Sequence, residues 1–273
     1  MIVVIPAYEP DEKLLRVVAE LKRDTDYAIV VVNDGSSEAA EPVFAALPEG
    51  VTEIPQHAFY GCSALASVDI PSTVTTIVGY SFQNCAALKD VTLPDGLTAI
   101  GAYAFSGCKA LESIAIPSKV TTIENHAFYQ CANLKTATFS EGLVSLQDDV
   151  FYQCVLLEDV TFPASLETIG ARTFGGCNSF TKISINIEDI HEYSFWNCTG
   201  LTAIELGDKV KSIGRNAFIS NGGNAVASIT CHAATPPVLG SSAFGSVGGT
   251  VAGKKYVYVP AESFDAYEKE WAV

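Results

Sequence analysis

Apolar residues return at a regular spacing through most of this chain, in a unit of 23 residues. Residues 88–108 show the unit clearly. Val91 and Leu93 alternate with polar residues, as in a strand with one buried face. A Pro-Asp-Gly turn and a second short extended segment follow, and Phe105 and Cys108 then lie three residues apart, which is typical of a single helical or 3₁₀ turn. The pattern predicts two short strands and one tight turn in every unit.

Phenylalanine marks the period. Six phenylalanines are each 23 residues apart, and three more follow at intervals of 21, 23 and 26. A fixed period in this range indicates a stacked-repeat solenoid, because each turn can bury its apolar face only against its neighbours. We expect these side chains to form a buried stack, called here the Phe column: Phe59, Phe82, Phe105, Phe128, Phe151, Phe174, Phe195, Phe218 and Phe244.

Cysteine occupies one position of the repeat, three residues after the phenylalanine. Stacked side chains point the same way rather than at each other, so we expect free, buried thiols that act as small hydrophobic groups. There is no CxxC pair, and a linear column cannot provide a tetrahedral site, so no metal is expected. These residues are called the Cys column: Cys62, Cys85, Cys108, Cys131, Cys154, Cys177 and Cys198.

The register of F-x-x-C over seven consecutive units resembles the BspA-like class of leucine-rich repeats. The resemblance covers residues 48–245, and residues 246–273 look like that family's closing strand and helix, with Tyr256 to Pro260 as the strand and Ala261 to Trp271 as the helix. It implies an α/β repeat solenoid, a right-handed superhelix, that binds proteins or surface ligands. Many relatives are exported to the cell surface.

The first 47 residues follow a different pattern. Residues 2–6 and 28–32 read as two buried parallel strands, and Asp11 to Asp24 reads as an amphipathic helix between them. This predicts a β-α-β unit as residues 1–47. We expect it to close the N-terminal end of the solenoid.

This segment resembles the opening of a family 2 glycosyltransferase. The matching pieces are Val-Ile-Pro-Ala-Tyr at residues 4–8 and Val-Val-Asn-Asp-Gly-Ser-Ser at residues 31–37. The resemblance implies a vestigial nucleotide site at Pro6, Ala7, Tyr8 and Asp34. It stops at about Leu47, with no DxD motif, and two strands cannot enclose a nucleotide or position Mg²⁺.

Charge and composition exclude several classes of function. The net charge is −15, so nucleic acid and anionic lipid are not expected partners. No apolar run is long enough to cross a bilayer, and no membrane insertion is expected. The first residues carry no signal-peptide pattern, which favours the cytoplasm, in contrast to the exported relatives. The histidines form no catalytic constellation, so we expect no enzyme and no cofactor.

Two sets of variable positions are candidate binding surfaces. The first, called the strand row, lies at the outward position of the main strand, on the predicted concave sheet: Asp69, Thr92, Ala115, Thr138, Thr161, Ser184 and Glu205. The second, the aromatic row, follows each phenylalanine and contains Tyr60, Tyr129, Tyr152 and Trp196. A neighbouring set, the turn row, lies two residues before each phenylalanine: His57, Tyr80, Tyr103, His126, Asp149, Arg172 and Tyr193.

The sequence thus predicts a non-enzymatic recognition scaffold that binds a protein or glycan through its repeat surface. Two alternatives remain at this point. The N-terminal segment could bind a nucleotide sugar, or the chain could be a fusion product without a selected activity.

Overall fold

The computed structural model describes residues 2–7, 28–33, 45–46, 51–220, 226–244 and 256–271. Nearly every strand in these ranges is short. In chain order the strands are β1 Ile2–Ala7, β2 Ala28–Asn33, β3 Ala45–Ala46, β4 Glu53–Ile54, β5 Ser67–Asp69, β6 Thr76–Ile77, β7 Asp90–Val91, β8 Ala99–Ile100, β9 Ser113–Ile116, β10 Thr122–Ile123, β11 Thr136–Phe139, β12 Ser145–Leu146, β13 Thr168–Ile169, β14 Lys182–Ile185, β15 Asp189–Ile190, β16 Ala203–Leu206, β17 Ser212–Ile213, β18 Ser228–Cys231, β19 Val238–Leu239 and β20 Tyr256–Tyr258.

The repeats fold into a parallel β-solenoid of about eight turns, which confirms the predicted stack. The second short strand of each turn joins one nine-stranded parallel sheet, called here the continuous face, in the order β4-β6-β8-β10-β12-β13-β15-β17-β19. Isoleucine pairs with isoleucine in neighbouring turns, as in Ile54 with Ile77 and Ile77 with Ile100. The repeat therefore stacks like position on like position.

The main strands form the opposite sheet in three separate pieces, called here the interrupted face. The pieces are β3-β5-β7, β9-β11 and β14-β16-β18-β20. Burial alternates along these strands, with Ile114 and Ile116 buried and Ser113 and Ala115 exposed. The predicted alternation is therefore present, but the ladder is broken twice.

The N-terminal segment contains the two predicted strands. β1 and β2 are parallel, with Ile2 opposite Ala28 and Ala7 opposite Asn33. The predicted helix from Asp11 to Asp24 lies outside the described residues. β3 pairs with β5, so the interrupted face includes residues 45 and 46.

The Phe column fills the centre of every turn. From Phe59 to Phe218 each phenylalanine is at most 2% exposed, and consecutive rings along the column to Phe244 are nearly parallel, with centroids 4.9 to 5.5 Å apart. Burying such a side chain contributes about 1.5–3 kcal/mol. The column lies buried inside the solenoid, and it continues without a break past the two gaps in the interrupted face.

The tight turn differs from the predicted helical or 3₁₀ turn. The Cys108 amide donates to the Phe105 carbonyl at 3.1 Å, as such a turn requires. However, the residue two before the phenylalanine has a positive φ in turn after turn, from 54° at Arg172 to 64° at Tyr80. Left-handed backbone is unfavourable for a side-chain-bearing residue. In this fold the left-handed residue directs alternate backbone amides of the tight turn toward the neighbouring turn of the solenoid. The Phe105 amide, for example, donates to the Ala127 carbonyl of the next turn at 2.8 Å.

The Cys column is buried and its thiols are free, as predicted. Each of the middle thiols donates to the carbonyl of the preceding turn's phenylalanine, for example Cys108 Sγ to Phe82 O at 3.2 Å. Burial raises the pKa of the Cys108 thiol well above its ordinary value, and it raises that of Cys198 to about 12. The thiols therefore stay protonated and act as packing groups.

The C-terminal residues pack on the last turns. β20 pairs with β18, a short 3₁₀ helix covers Ala261–Ser263, and an α-helix covers Phe264–Trp271. The buried Tyr267 hydroxyl donates to Ala233 O at 2.8 Å, and Trp271 lies against Phe244 with ring centroids 5.6 Å apart. The roles of the two end segments as caps, and the handedness of the superhelix, stay predictions.

Replacing Phe128 with alanine should lower the free energy of unfolding by about 3–5 kcal/mol, since it leaves a cavity in the middle of the column. Urea denaturation followed by circular dichroism measures this loss. Tyr60→Ala is the control, because Tyr60 is 53% exposed and its loss should change stability by less than about 0.5 kcal/mol. Equal losses of unfolding free energy in the two variants would contradict a main role of the Phe column in stability.

The thiols should react with a colorimetric disulfide reagent only slowly in the folded protein, because buried protonated thiols are poor nucleophiles. After denaturation in guanidinium chloride all 8 cysteines should react. Rapid reaction of most thiols in the native protein would show that the Cys column is accessible.

Candidate functional site

The strand row lies on the interrupted face. Asp69, Thr92, Thr138, Thr161 and Ser184 are exposed and Glu205 is half-buried. Within the separate pieces the members are in register, with Thr138 opposite Ala115 and Ser184 opposite Glu205. The repeat therefore brings short polar side chains together in a line across this face.

A cavity of about 340 Å³ opens in the middle of this row, between β11 and residues 158–163. Two members of the strand row, Thr138 and Thr161, line it from opposite sides. Its apolar lining residues are Phe139, Phe162, Ala137 and Pro163. The other polar lining residues are Thr136, Glu141, Glu158 and Asp159.

The cavity coincides with a missing strand. The Glu158 amide still donates to Lys135 O at 2.9 Å, but within the described residues no backbone hydrogen bond joins β11 to residues 159–162. Phe139 and Phe162 occupy a position where neighbouring turns carry Ile116 or Ile185, and their ring centroids are 6.1 Å apart. This exceeds the 4.9 to 5.5 Å spacing of the Phe column, so the two rings at the gap are packed less closely than the rings of the column.

Asp159 supplies hydrogen-bond acceptors to residues 181 and 182 on the other side of the gap. Its carboxylate accepts hydrogen bonds from the Thr181 amide at 2.7 Å, the Thr181 hydroxyl at 2.6 Å and the Lys182 amide at 3.1 Å. Partial burial raises the pKa of Asp159, but the hydrogen bonds from Thr181 and Lys182 outweigh it and leave the pKa below its ordinary value of 3.8. A side chain thus takes the place of the backbone carbonyls that a strand would offer to β14.

Glu205 is the centre of an ionic cluster further along the same face. It accepts hydrogen bonds from Ser184 Oγ at 3.0 Å and contacts Lys182 Nζ at 2.7 Å and His232 Nε2 at 3.3 Å. These partners, Lys182 first, lower the pKa of Glu205 to about 2. The cluster is therefore internally compensated at neutral pH.

Three of the four aromatic-row residues stack on one another. The centroids of Tyr129 and Tyr152 are 5.4 Å apart, and those of Tyr152 and Trp196 are 6.3 Å apart although a whole turn separates them. That turn carries Gly175, where a Cβ would lie 2.9 Å from the Tyr152 ring, so the two rings close over the glycine. Tyr60 lies apart and contacts His57 instead. Tyr152 therefore stacks on two rings of the row, and Tyr129 and Trp196 each stack on one.

The turn row forms a ladder of its own. Rings stack from His57 through Tyr80 and Tyr103 to His126, with centroids 4.4 to 5.0 Å apart. The next member, Asp149, is only 3% exposed. Arg172 holds its carboxylate in two hydrogen bonds of 2.9 and 2.6 Å.

His126 ends the ring ladder at this ion pair. Its Nε2 is 3.5 Å from Asp149 Oδ2, and its Nδ1 is buried without a hydrogen-bond partner. Desolvation lowers the pKa of His126, and it outweighs the attraction of Asp149, which is already paired with Arg172. The ring is therefore neutral at neutral pH.

The candidate nucleotide residues are only partly described. Pro6 and Ala7 lie in β1, opposite Val32 and Asn33 of β2, while Tyr8 and Asp34 lie outside the described residues. Across the described ranges no group of three or more His, Cys, Asp or Glu residues could hold a metal ion. In the same ranges no helix is long and apolar enough to cross a membrane.

Comparison with family models decides the relationship of the chain. The model of the BspA type leucine rich repeat region, present in 6 copies, matches residues 44–158 and 133–246. The protein belongs to the BspA-type leucine-rich repeat family. The match begins at residue 44, so the resemblance of residues 1–47 to a glycosyltransferase lies almost wholly outside it and stays a prediction.

Solved leucine-rich repeat proteins are similar to this BspA-type chain. One from Bacteroides ovatus is 23% identical, with 99% of this chain and 89% of that chain covered and a TM-score of 0.43. One from T. pallidum is 26% identical over 67% of this chain and 78% of that chain, with a TM-score of 0.45. A leucine-rich cell surface protein from Faecalibacterium prausnitzii is 23% identical over 88% and 66%, with a TM-score of 0.46. None of the curated proteins compared with the sequence matches it.

Two features of this BspA-type solenoid were missed in the sequence. The cavity had one signal, the replacement of Ile or Leu by Phe139 and Phe162 in adjacent turns. The His126, Asp149 and Arg172 contacts also had one, since these residues share a repeat position in consecutive turns. Both signals are departures from the repeat consensus, and they are easily overlooked when a sequence is read for its period.

The depressed pKa of His126 should make the protein less stable as pH falls below 6.5, the ordinary value for histidine. Over that range the unfolded chain binds a proton that the folded chain does not, so the free energy of unfolding decreases with decreasing pH. The variant His126→Phe should show a weaker pH dependence of the melting temperature. His57→Phe, at the same repeat position but exposed, is the control and should keep the wild-type slope. Equal slopes for all three proteins would refute the assignment.

Proposed function

We propose that this protein is a non-enzymatic recognition scaffold that binds a protein partner through the strand row on the interrupted face. Membership of the BspA-type family supports an interaction role in general. The observation that carries the choice of face is the cavity, which lies within the predicted row and has Thr138 and Thr161 in its lining. Glycan binding and residual nucleotide-sugar binding have no comparable feature among the described residues.

The chemistry of the strand row suits recognition. Its hydroxyl and carboxylate groups are short, so they lose little conformational entropy when a partner orders them. The parallel register repeats the same donors and acceptors at each turn, which suits an extended partner segment running along the stack. The aromatic row is less favoured, because stacking within the row already occupies both sides of the Tyr152 ring and one side each of Tyr129 and Trp196.

The choice of face is tested by three triple variants. Thr92→Tyr, Thr138→Tyr and Ser184→Tyr together add bulk to the strand row, and tyrosine is a good strand residue, so folding should be retained. Thr76→Tyr, Thr122→Tyr and Thr168→Tyr add the same bulk to the continuous face as a matched control. The third variant replaces Tyr129, Tyr152 and Trp196 with alanine.

A partner is first captured by cross-linking to the wild-type protein, and its affinity for each variant is then measured by biolayer interferometry. The strand-row variant should bind at least about tenfold more weakly, as expected when a central contact is blocked. The continuous-face control should bind like the wild type, with circular dichroism confirming that all variants fold. Loss of binding only in the aromatic-row variant would move the site to that row and disprove the proposal.

A further inference from the structure

The gap between β11 and β14 leaves backbone groups of β11 without a ladder partner, while on its other side Asp159 accepts from the Thr181 and Lys182 amides. β11 pairs on one side with β9, and its other side faces residues 159–162 without a ladder bond among the described residues. This edge presents carbonyl acceptors as well as N–H donors, so a ligand that carries N–H donors can hydrogen-bond to it. The continuous face has no such opening at this level, because β12 and β13 pair there.

The side chains that line the cavity carry a net negative charge. Glu141, Glu158 and Asp159 line it, and no basic residue does. Lys135 directly precedes the lining residue Thr136, and the Lys182 amide donates to Asp159. Lys182 is paired with Glu205 at 2.7 Å, and Lys135 has no ion pair within 4.0 Å in the described part of the chain. Glu158 likewise makes no side-chain hydrogen bond there, whereas Glu141 accepts from the amides of residues 164 and 165 at 3.1 and 3.2 Å.

The shape and lining select among cations. Phe139 and Phe162 present two rings tilted by 19°, and both are only partly buried. A guanidinium group stacks on aromatic rings, carries five donors in one plane and is weakly hydrated, while an ammonium group is compact and strongly hydrated. A volume of about 340 Å³ is at the small end for ligand pockets, which suits one long side chain rather than a whole peptide segment.

We propose that this cavity receives an arginine side chain from a basic segment of the partner protein, with Glu158 as the principal counter-charge and Phe139 and Phe162 as the stacking surface. The inference rests on the proposed function, in that it names the partner's anchoring residue at the strand row.

The direct test is a titration of the isotope-labelled full chain with Nα-acetyl-arginine amide, followed by amide chemical shifts. Saturable shifts are expected at Thr136, Thr138 and Thr161. The uncharged citrulline analogue, which has nearly the same shape, should bind about tenfold more weakly because it lacks the charge-assisted hydrogen bonds. Equal binding of both probes, shifts confined to other parts of the chain, or no saturable shifts would overturn the proposal.

Two glutamate variants sharpen the result. Glu158→Gln should weaken binding of the arginine amide about tenfold without loss of stability, since its side chain holds no other described group. Glu167→Gln, an exposed glutamate at the continuous face, is the matched control and should bind like the wild type. A variant Glu158→Gln that keeps full affinity would contradict the assignment.

The probe experiment and the partner experiment separate the two hypotheses. If the strand-row variant loses its partner but the arginine amide does not bind, the arginine anchor is wrong and the recognition face stands. If the arginine amide binds in the cavity while the strand-row variant keeps full affinity for its partner, the cavity binds a guanidinium group but the partner does not use it, and both the proposed face and the arginine anchor are wrong.

Discussion

The fold depends on the stacking of identical positions in neighbouring turns. Each phenylalanine inside the Phe column packs against the ring before it and the ring after it, so neighbouring turns are held together along the centre of the solenoid. Turns then exchange amide hydrogen bonds at the tight turn and pair isoleucines on the continuous face. Stability in such a stack comes mainly from nearest neighbours, so a local defect need not propagate.

The interrupted face shows how this tolerance is used. The ladder is missing between the main strands that carry Phe139 and Phe162, yet Phe128, Phe151 and Phe174 remain stacked at 5.2 and 5.5 Å behind them. The cost is confined to a few lost backbone hydrogen bonds, part of which Asp159 replaces. A recognition feature can therefore be built into one turn without endangering the rest of the solenoid.

The parts of the structure that repeat were predictable, and the parts that depart from the repeat were not. Leu93 and Phe105 recur in equivalent positions, so their burial follows from periodicity alone. The left-handed backbone at Tyr103 could not be foreseen, because nothing in a tyrosine favours positive φ and the neighbouring turns impose it. The broken ladder was equally hidden, since residues 159–162 carry the same alternation as β11, including a phenylalanine at the same position, although β11 pairs with β9.

The broken ladder also has a mechanical consequence. A sheet resists bending because its transverse hydrogen bonds and packed side chains cannot stretch, and at the level of residues 159–162 one of the two sheets lacks those bonds. The solenoid should therefore bend more easily at this level than where both sheets are continuous, while the Phe column and the continuous face stay unbroken behind the gap. The interrupted face has a second break between β7 and β9, so the molecule should have two such levels, and its curvature can change at each of them without loss of the Phe column.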